Sequence, residues 1–484
     1  MGKRALGAWC VTWVGAYTIL GPALGGLVEG LHPSALPAGL LTLWTVALGV
    51  SVYWTWRWGA VRRSTPPTGR RRFLLGGLLG IGGLGGVVAV AVGRNLPWLR
   101  VTGQHIFAVR PPYKAPTAHP DWSGARVENY RRLGRTDAWV SDISLGSGSS
   151  TGGRQRPEVV REAIDRGINY FDTAPDYSEA GSERRFGEAM QGVRDQMFLA
   201  TKFCTPEGHL PPGTPVARYI EAVEGSLERL RTDRVDLIHI HSCDSVDRLM
   251  DENVHEAFDR LREQGKARFL GVSTHTPNLE AVADAAIGSD RFDVMMLAYH
   301  YGAWPRLGEI IDRAANADIG VVAMKTLRGG MHRGLDWSRQ ERDSFTQASF
   351  KWVLSNPSVS ALVISLWESA QLDEFLFASG GAFEPADVAV LDRYEQLVST
   401  THCRSHCGIC LASCPEGLPI ADVLRHRMYF EDFGAEKEAM RLYAKLERGA
   451  DACSGCSAPC TSACPDGVAI PDRMRESHAL LTLG

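Results

Sequence analysis

The chain has 484 residues, of which 44% are hydrophobic and 22% charged, so it holds enough apolar material for two or three globular domains. Its formal net charge is -3 and no basic patch is interleaved with aromatic residues, which argues against a nucleic acid as partner. Eight of the 11 cysteines fall between residues 403 and 464, a density that indicates either metal binding or disulfides. Cys10, Cys204 and Cys243 are isolated.

Three long uncharged stretches open the sequence, at residues 5–28, 36–56 and 73–93. Each is long enough for a membrane helix of about 20 residues, so we predict a membrane anchor over residues 1–94. Buried helices of a soluble domain are the alternative. Basic residues precede the first stretch and six arginines separate the second from the third, which predicts a cytoplasmic amino terminus.

Arg70 and Arg71, followed by Phe73 and Leu74, resemble the twin-arginine signal of proteins exported already folded. The alternative is that these arginines only orient the third helix. Both interpretations place the residues after 94 on the extracytoplasmic side of the cell (inner) membrane. Residues 95–128 contain five prolines and predict a stiff, extended linker.

From residue 129 the pattern changes to short β-favouring runs that alternate with amphipathic stretches such as residues 216–230. The runs are residues 140–146, 168–173, 197–203, 235–241, 267–273, 293–299, 320–325 and 361–365. Eight such units in about 250 residues predict an α/β fold, a (β/α)8 TIM barrel over residues 129–395. The active sites of such barrels lie at the carboxyl ends of the strands.

The segment GINYFDTAPDYSEAGSERRFGE at residues 167–188 has the pattern of a buried strand that ends in a loop carrying Asp172 and Tyr177. It resembles the signature of the aldo-keto reductase family. The segment YRRLGRTDAWVSDISLGSGS, which begins at Tyr130, is similar to the same family. The resemblance covers about residues 129–380, and it implies an oxidoreductase that reduces a carbonyl or oxidises an alcohol.

The resemblance implies a catalytic tetrad of Asp172, Tyr177, Lys202 and His241. Tyr177 would give a proton to a carbonyl oxygen, with Lys202 stabilising the phenolate, because a phenol of pKa about 10 is a poor acid. Asp172 would pair with the ammonium, and His241 would orient the carbonyl. The alternative for the lysine and the aspartate is a structural salt bridge.

The resemblance also implies NADP(H) as cofactor, with its contacts at the strand ends. The candidate cofactor-binding residues are Gly146, Ser273, Thr274, Met296, Met324, Lys325 and Arg328. Thr274, Met296 and Met324 replace family side chains that hydrogen-bond to the nicotinamide or stack on it, which predicts weak binding. No cation clamp for the 2′-phosphate is visible at the family's positions. Lys325 and Arg328 could reach phosphates, with a solvent-exposed loop as the alternative.

The cysteines between 403 and 464 form two quartets, each closed by Cys-Pro. They are Cys403, Cys407, Cys410 and Cys414, then Cys453, Cys456, Cys460 and Cys464. The spacing resembles the bacterial two-cluster ferredoxins and implies two [4Fe-4S] clusters over residues 396–484, with the fourth cysteines exchanged. CPEGLPIADVLR and CPDGVAIPDRMR form an internal repeat that supports the exchange. Zinc and disulfides are the alternatives.

Two functions are consistent with these features. The first is a membrane-anchored oxidoreductase that acts on a small-molecule carbonyl or alcohol and exchanges single electrons with an unidentified redox partner through the clusters. The second is an electron-transfer and docking subunit whose barrel is a scaffold. The complete tetrad favours the first function, and the altered nicotinamide contacts favour the second.

Overall fold

The computed structural model describes residues 119–148, 155–303, 305–328, 344–404, 407–432 and 434–482. The chain divides into two units, Met1–Val109 and Arg110–Gly484, and all the described residues belong to the second. Within the described ranges, no helix combines the length and the apolar character that crossing a membrane requires. The predicted membrane segments and the twin-arginine motif lie outside these ranges and stay predictions.

The central element of the described chain is a closed sheet. Its strands and those of an accompanying hairpin are β1 (Tyr130–Arg132), β2 (Trp139–Ser141), β3 (Ile143–Gly146), β4 (Tyr170–Asp172), β5 (Phe198–Thr205), β6 (Gly208–His209), β7 (Val235–Ile240), β8 (Ala267–Thr274), β9 (Val294–Ala298), β10 (Gly320–Met324) and β11 (Ala361–Ser365). Eight parallel strands pair in the order β4-β3-β11-β10-β9-β8-β7-β5, and the β4–β5 pairing closes the ring. Each predicted run overlaps one of these eight strands, which confirms the predicted barrel.

Helices connect the barrel strands and form the second domain. They are α1 (Pro157–Asp165), α2 (Gly181–Ala189), α3 (Val216–Leu230), α4 (Val246–Leu249), α5 (Glu252–Glu263), α6 (Leu279–Gly288), α7 (Pro305–Asn316), α8 (Phe345–Leu354), α9 (Ser369–Leu376), α10 (Pro385–Val398), α11 (Ile420–Glu431), α12 (Glu436–Ala444), α13 (Cys460–Ala463) and α14 (Ile470–Leu481). The amphipathic stretch at 216–230 is α3, and its buried Val223 and Leu227 pack in the layer between helices and sheet.

Alternate residues of each strand pack in the barrel interior and in the layer between the sheet and the surrounding helices. Successive side chains of a strand point to opposite faces. Tyr170 and Phe198 accordingly belong to the interior cluster, whereas their neighbours Phe171 and Leu199 belong to the cluster beneath the helices. The same alternation decides which side chains face inward at the carboxyl ends of the strands.

The β1–β2 hairpin closes the amino-terminal end of the barrel. Leu133, between its strands, is fully buried in the interior cluster. A Cβ on Gly320 would lie 2.7 Å from Leu133 Cδ1, so the close approach of the hairpin to β10 requires glycine there. Arg132 also pairs with Asp318 at 2.5 Å. The carboxyl end is therefore the end of the barrel that the hairpin leaves open.

Residues 119–128 fall in the predicted extended linker, and for these residues that prediction is wrong. Trp122 is 1% exposed, and Val127 N donates a hydrogen bond to Arg166 O at 2.9 Å. A buried tryptophan and a backbone hydrogen bond to the end of a barrel helix stabilise a packed conformation. The segment therefore belongs to the barrel domain.

The junction of the two domains is α10. Its Leu391 and Tyr394 pack with Phe345 of α8 in one buried cluster, so α10 is part of the barrel domain. The helix continues past residue 396, the predicted start of the cysteine domain. The second domain therefore begins after Val398.

The cysteine domain consists of two similar halves. Cys414 and Cys464 each follow a short helical turn and precede α11 and α14, respectively. Gly417 and Gly467 occupy equivalent positions, with φ angles of 60° and 66°, and donate to the cysteine carbonyls at 3.1 and 3.2 Å. The internal sequence repeat is therefore a structural repeat.

Candidate active site

A buried ion pair between Lys202 and Asp172 lies at the open end of the barrel. Lys202 Nζ lies 2.6 Å from Asp172 Oδ1 and donates to Thr173 O at 2.8 Å. The two side chains are only 1% and 3% exposed. Asp172 follows the inward-facing Tyr170 by two positions, so strand alternation also directs it inward. Burial raises the pKa of Asp172, and the Lys202 ammonium opposes that rise.

Tyr177 lies beside this pair, in the loop after β4. Lys202 Nζ is 4.9 Å from the centre of the Tyr177 ring. The His241 ring meets the tyrosine edge-on, with centroids 5.5 Å apart. A lysine ammonium has three N–H donors, and Asp172 and Thr173 take two of them. The structure thus brings together the four residues of the predicted tetrad.

Burial controls the protonation of the tyrosine and the histidine. It raises the pKa of Tyr177 well above its usual value, and Asp172 and Asp176 act in the same direction. It lowers the pKa of His241 well below its usual range. At neutral pH the phenol therefore carries its proton and the imidazole is uncharged.

His241 also belongs to a cluster of polar and sulfur-bearing side chains. Its Nδ1 lies 3.3 Å from Cys204 Sγ and 3.4 Å from Asp176 Oδ1. Asp176 Oδ2 lies 3.6 Å from His209 Nε2. The sequence did not predict this cluster, because its members come from three different strand ends and Cys204 is isolated in the sequence.

Ser273 and Thr274 end β8 on opposite faces of the strand. Ser273 Oγ accepts a hydrogen bond from Ser242 N at 3.0 Å. Thr274 is the next residue, and its Oγ1 lies 3.4 Å from Thr276 Oγ1. Since Val272 packs beneath the helices, alternation places Thr274 on that outer face and Ser273 on the inner face with the tetrad.

Met296 and Met324 contribute apolar surface to the barrel interior. Met296 is 2% exposed within the interior cluster, and Met324 packs against that cluster. Their thioethers offer a nicotinamide ring contact area but no strong hydrogen bond. Gly146 ends β3, and its carbonyl accepts a hydrogen bond from Gln155 Nε2 at 2.9 Å.

Lys325 and Arg328 follow β10 and face the second domain. Arg328 is 3% exposed and pairs with Glu395 of α10, so the alternative of a solvent-exposed loop is wrong for this residue. Its Nε and Nη2 have no hydrogen-bond partner among the described residues. Lys325 Nζ lies 3.3 Å from Tyr429 Oη of α11.

The cysteine domain lies across the open end of the barrel. Lys445 Nζ donates to Glu207 O at 3.2 Å, in the loop after β5. A Cβ on Gly408 would lie 2.4 Å from Pro277 Cβ, so the two backbones approach closely after β8. These contacts cover the end of the barrel that holds the tetrad, an arrangement that the sequence did not predict.

A cavity at this junction is rich in positive charge. Its charged lining residues are Lys325, Arg328, Arg404, Arg425, Arg427, Glu431 and Arg473. Arginine pairs well with phosphate through parallel hydrogen bonds. Four of the five arginines here are paired with carboxylates, Arg328 and Arg404 with Glu395, Arg425 with Asp422, and Arg427 with Glu431. Four of the six cations belong to the cysteine domain, so the barrel sequence alone does not contain them.

The eight clustered cysteines fall into two groups. One group, Cys414, Cys453, Cys456 and Cys460, lines a single cavity. In the other group, burial raises the pKa of Cys403 to about 12, and the nearby thiols of Cys407, Cys410 and Cys464 add to this rise while Arg425 opposes it. Each group therefore takes three cysteines from one quartet and the fourth from the other.

Backbone groups also point at two of these sulfurs. Leu418 N donates to Cys414 Sγ, and Ala458 N donates to Cys456 Sγ, both at 3.4 Å. All ten cysteines of the described residues are free thiols. Hydrogen bonds to sulfur are typical of the surroundings of iron–sulfur clusters, so the donor sets fit such a group.

A closed parallel barrel that gathers a buried ion pair, a tyrosine and a histidine at its strand ends defines a barrel enzyme. Residues 142–343 match the model of the Aldo/keto reductase family. The chain is 28% identical over 282 residues to the uncharacterised oxidoreductase YqkF of Bacillus subtilis, a match that covers 51% of this chain and 90% of the relative.

Two other relatives carry named activities. L-galactose dehydrogenase of Arabidopsis thaliana is 26% identical, over 50% of this chain and 86% of its own length. Methylglyoxal reductase YeaE of Escherichia coli is 28% identical, over 42% of this chain and 72% of its own length. The chain is an oxidoreductase of the aldo-keto reductase type, and the similarity lies in the barrel.

Proposed function

We propose that the chain is a membrane-anchored oxidoreductase that acts on a small-molecule carbonyl or alcohol at Asp172, Tyr177, Lys202 and His241, with electron carriers in its cysteine domain. The observation that supports this most is the position of Tyr177 between Lys202 and His241. A buried ion pair could serve stability alone, but a tyrosine and a histidine beside it add a proton donor and an orienting group.

Each member of the tetrad has a distinct role in carbonyl reduction. Tyr177 Oη donates its proton to the carbonyl oxygen, and the Lys202 ammonium stabilises the resulting phenolate. Asp172 pairs with the buried ammonium at a distance of 2.6 Å and so balances its charge. The neutral His241 donates a hydrogen bond to the same oxygen and orients it. In alcohol oxidation, the same groups act in reverse.

The relatives and the cationic cavity support the proposed substrate class and cofactor. The relatives' names include a sugar dehydrogenase and a reductase of a small dicarbonyl, which supports a small carbonyl or alcohol substrate. The cations at the domain junction would hold the phosphates of NADP(H), with Ser273 at the ring end. When bound, the nicotinamide supplies or accepts the hydride.

We also propose two [4Fe-4S] clusters with exchanged fourth ligands. Cys464 would complete the set of Cys403, Cys407 and Cys410, and Cys414 would complete the set of Cys453, Cys456 and Cys460. The two groups of thiols and the N–H donors to sulfur support this assignment. Bound clusters supply one-electron transfer, which suits exchange with a separate redox partner.

Replacing Tyr177 tests the proposed tetrad. Tyr177→Phe removes only the hydroxyl, so turnover should fall by roughly a hundredfold or more while the fold persists. Tyr219→Phe is the matched control, because Tyr219 is also buried in the barrel domain but its hydroxyl donates to Pro211 O at 3.3 Å. Unchanged turnover of Tyr177→Phe would rule out the assignment.

Iron and sulfide analysis of anaerobically purified protein tests the clusters. Two clusters require about eight iron atoms per chain, and a value near four would mean a single cluster. Cys414→Ser should alter the paramagnetic signal of the cluster held by Cys453, Cys456 and Cys460. A change confined to the other cluster would show local ligation.

The proposed location is the cell (inner) membrane, with the barrel and the cysteine domain on the extracytoplasmic side. The arginine-rich segment at 57–72 supports this orientation. Added protease should digest the barrel in spheroplasts, and complete protection would contradict the orientation. Replacing Arg70 and Arg71 by lysine should block export if the segment is a twin-arginine signal, and should have no effect if the arginines only orient the helix.

A further inference from the structure

The cluster around His241 has the composition and the spacing of a metal site. Asp176, His209 and His241 each offer one ligand atom, and these three atoms all lie within 4.8 Å of one another. Cys204 Sγ lies beside two of the three residues, 3.3 Å from His241 Nδ1 and 3.6 Å from Asp176 Oδ1. We propose that these four side chains bind one zinc ion at the open end of the barrel.

The distances between the donor atoms agree with tetrahedral coordination. Zinc bonds of about 2.0–2.3 Å at tetrahedral angles require donor atoms about 3.3–3.7 Å apart. The observed separations are 3.3 Å from His241 Nδ1 to Cys204 Sγ and 3.4 Å from the same nitrogen to Asp176 Oδ1. Asp176 Oδ1 lies 3.6 Å from Cys204 Sγ. These three distances are three edges of one tetrahedron, and His209 Nε2 lies 3.6 Å from the other carboxylate oxygen of Asp176.

The backbone explains why these four residues meet. Cys204 of β5 and His209 of β6 are directly opposite partners in a short antiparallel pair. Opposite residues of such a pair project to the same face with Cβ atoms about 4.5–5.5 Å apart, a separation that allows both to reach one ion. Asp176 comes from the loop after β4, and His241 directly follows β7. Since β4, β5 and β7 are neighbours in the barrel, their carboxyl ends converge on one point.

The charges around the cluster suit a divalent cation. The carboxylate of Asp176 and the thiolate of Cys204 would balance the two positive charges of the ion. Of the nearby cations, Lys202 is already paired with Asp172 at 2.6 Å. The guanidinium of Arg248 donates to His241 O at 2.7 Å and so holds the backbone of one ligand.

The donor types favour zinc over other divalent cations. Two imidazoles, a thiolate and a carboxylate form a mixed set of borderline softness, which zinc binds in tetrahedral sites. Calcium and magnesium prefer sites made of oxygen atoms alone. The proposed site also differs from the cysteine quartets, because it lies in the barrel domain and includes histidine and aspartate.

A zinc ion here would also position the catalytic histidine, a consequence that depends on the proposed function. Coordination through Nδ1 leaves the hydrogen of a neutral imidazole on Nε2, where it can be donated to a substrate oxygen. Asp176 directly precedes Tyr177, so the same ion would fix the loop that carries the tyrosine. The zinc site itself can be tested without any substrate.

The test measures zinc per chain in the full-length protein, purified anaerobically with its iron content determined in the same sample. Wild type should contain about one zinc ion that His209→Gln and Cys204→Ala each lack, because each change removes a ligand. The His209 side chain is 40% exposed, so its replacement should leave the fold intact. Iron content and circular dichroism should be unchanged.

Matched controls are available for both ligand types. Cys243→Ala removes another buried free cysteine, one whose Sγ donates to Ser245 O at 3.3 Å. His255→Gln removes a histidine whose Nε2 lies 3.0 Å from Leu249 O. Both variants should keep their zinc.

Three results would overturn the proposal. The first is a wild type that contains no zinc and binds none when titrated with zinc chloride. The second is zinc retained by His209→Gln, which would place the ion elsewhere, for example in the cysteine quartets. The third is zinc retained by Cys204→Ala, which would exclude the thiolate and the four-ligand site. None of these results depends on turnover, so they are distinct from a failure of the proposed function.

Discussion

The barrel and the cysteine domain differ in how their cores relate to their functional residues. The barrel has a large apolar layer between sheet and helices, and its tetrad lies outside that layer at one end. In the cysteine domain, Cys453 and Cys460 are core residues themselves, and other cysteines pack against the same cluster. We therefore expect the barrel to fold without a ligand, and the smaller domain to depend for its stability on the group that we propose its cysteines bind.

Removing iron should have the largest effect and should be confined to the cysteine domain. With an iron chelator under reducing conditions, we expect α11 and α14 to lose most of their protection from hydrogen exchange, because their core is built around the thiols. The barrel strands should keep theirs. Hydrogen-exchange mass spectrometry measures both regions in one sample, and a protected α14 in iron-free protein would contradict the comparison.

In the barrel, we instead expect a mutation of the tetrad to act mainly on enzymatic activity. Lys202→Met removes the ammonium that stabilises the phenolate, so turnover should fall by about a hundredfold or more. It also leaves the Asp172 carboxylate buried and unpaired, which should cost about 3–5 kcal/mol of stability. Lys351→Met is the matched control, since Lys351 is also buried but lies 3.3 Å from Asp387 and away from the tetrad.

For that control we expect a loss of stability with little change in turnover. Thermal unfolding and steady-state kinetics, measured on both variants, separate the two effects. Equal losses of turnover in Lys202→Met and Lys351→Met would mean that the lysine at the barrel end acts only through stability.

The predicted effect on nicotinamide binding is intermediate in size, between the loss of turnover and the effect of the contact between the domains. At the ring end, Met296 and Met324 offer no strong hydrogen bond, and each lost bond costs about 1 kcal/mol. At the phosphate end, Arg328 is already paired with Glu395. We expect weak binding and affinities for NADPH and NADH within about tenfold, or 1.4 kcal/mol, of each other.

Calorimetric titration of the holoprotein with each nucleotide checks this expectation. Tight, stoichiometric binding of NADPH at low micromolar concentration would contradict it. That result would also mean that the arginines of the cysteine domain compensate for the contacts missing from the barrel.

The contact between the two domains should give the smallest effect. Lys445→Ala removes the hydrogen bond to Glu207 O, which is exposed. The free energy of unfolding should change by no more than about 1 kcal/mol. Lys437→Ala, at an exposed position on α12, the helix that Lys445 directly follows, is the control. A loss of several kcal/mol specific to Lys445→Ala would show that the contact couples the folding of the two domains.

The local sequence pattern determined the secondary-structure elements of this protein. Short β-favouring runs that alternate with amphipathic stretches predicted the eight barrel strands. The parallel order of these strands placed Asp172, Lys202 and His241 at one end, since parallel strands share the direction of their carboxyl ends. Cysteine spacing and the repeat around Cys414 and Cys464 predicted two equivalent halves.

Only the tertiary structure decided which residues meet across the chain. Cys204 and His209 form part of a cluster because β5 pairs with β6 and lies between β4 and β7, which no local pattern encodes. The cations at the open end come largely from the cysteine domain, and their position depends on how that domain packs on the barrel. Trp122 likewise packs on the barrel despite a proline-rich context. Local sequence fixes backbone periodicity, whereas these contacts depend on packing between segments distant in sequence.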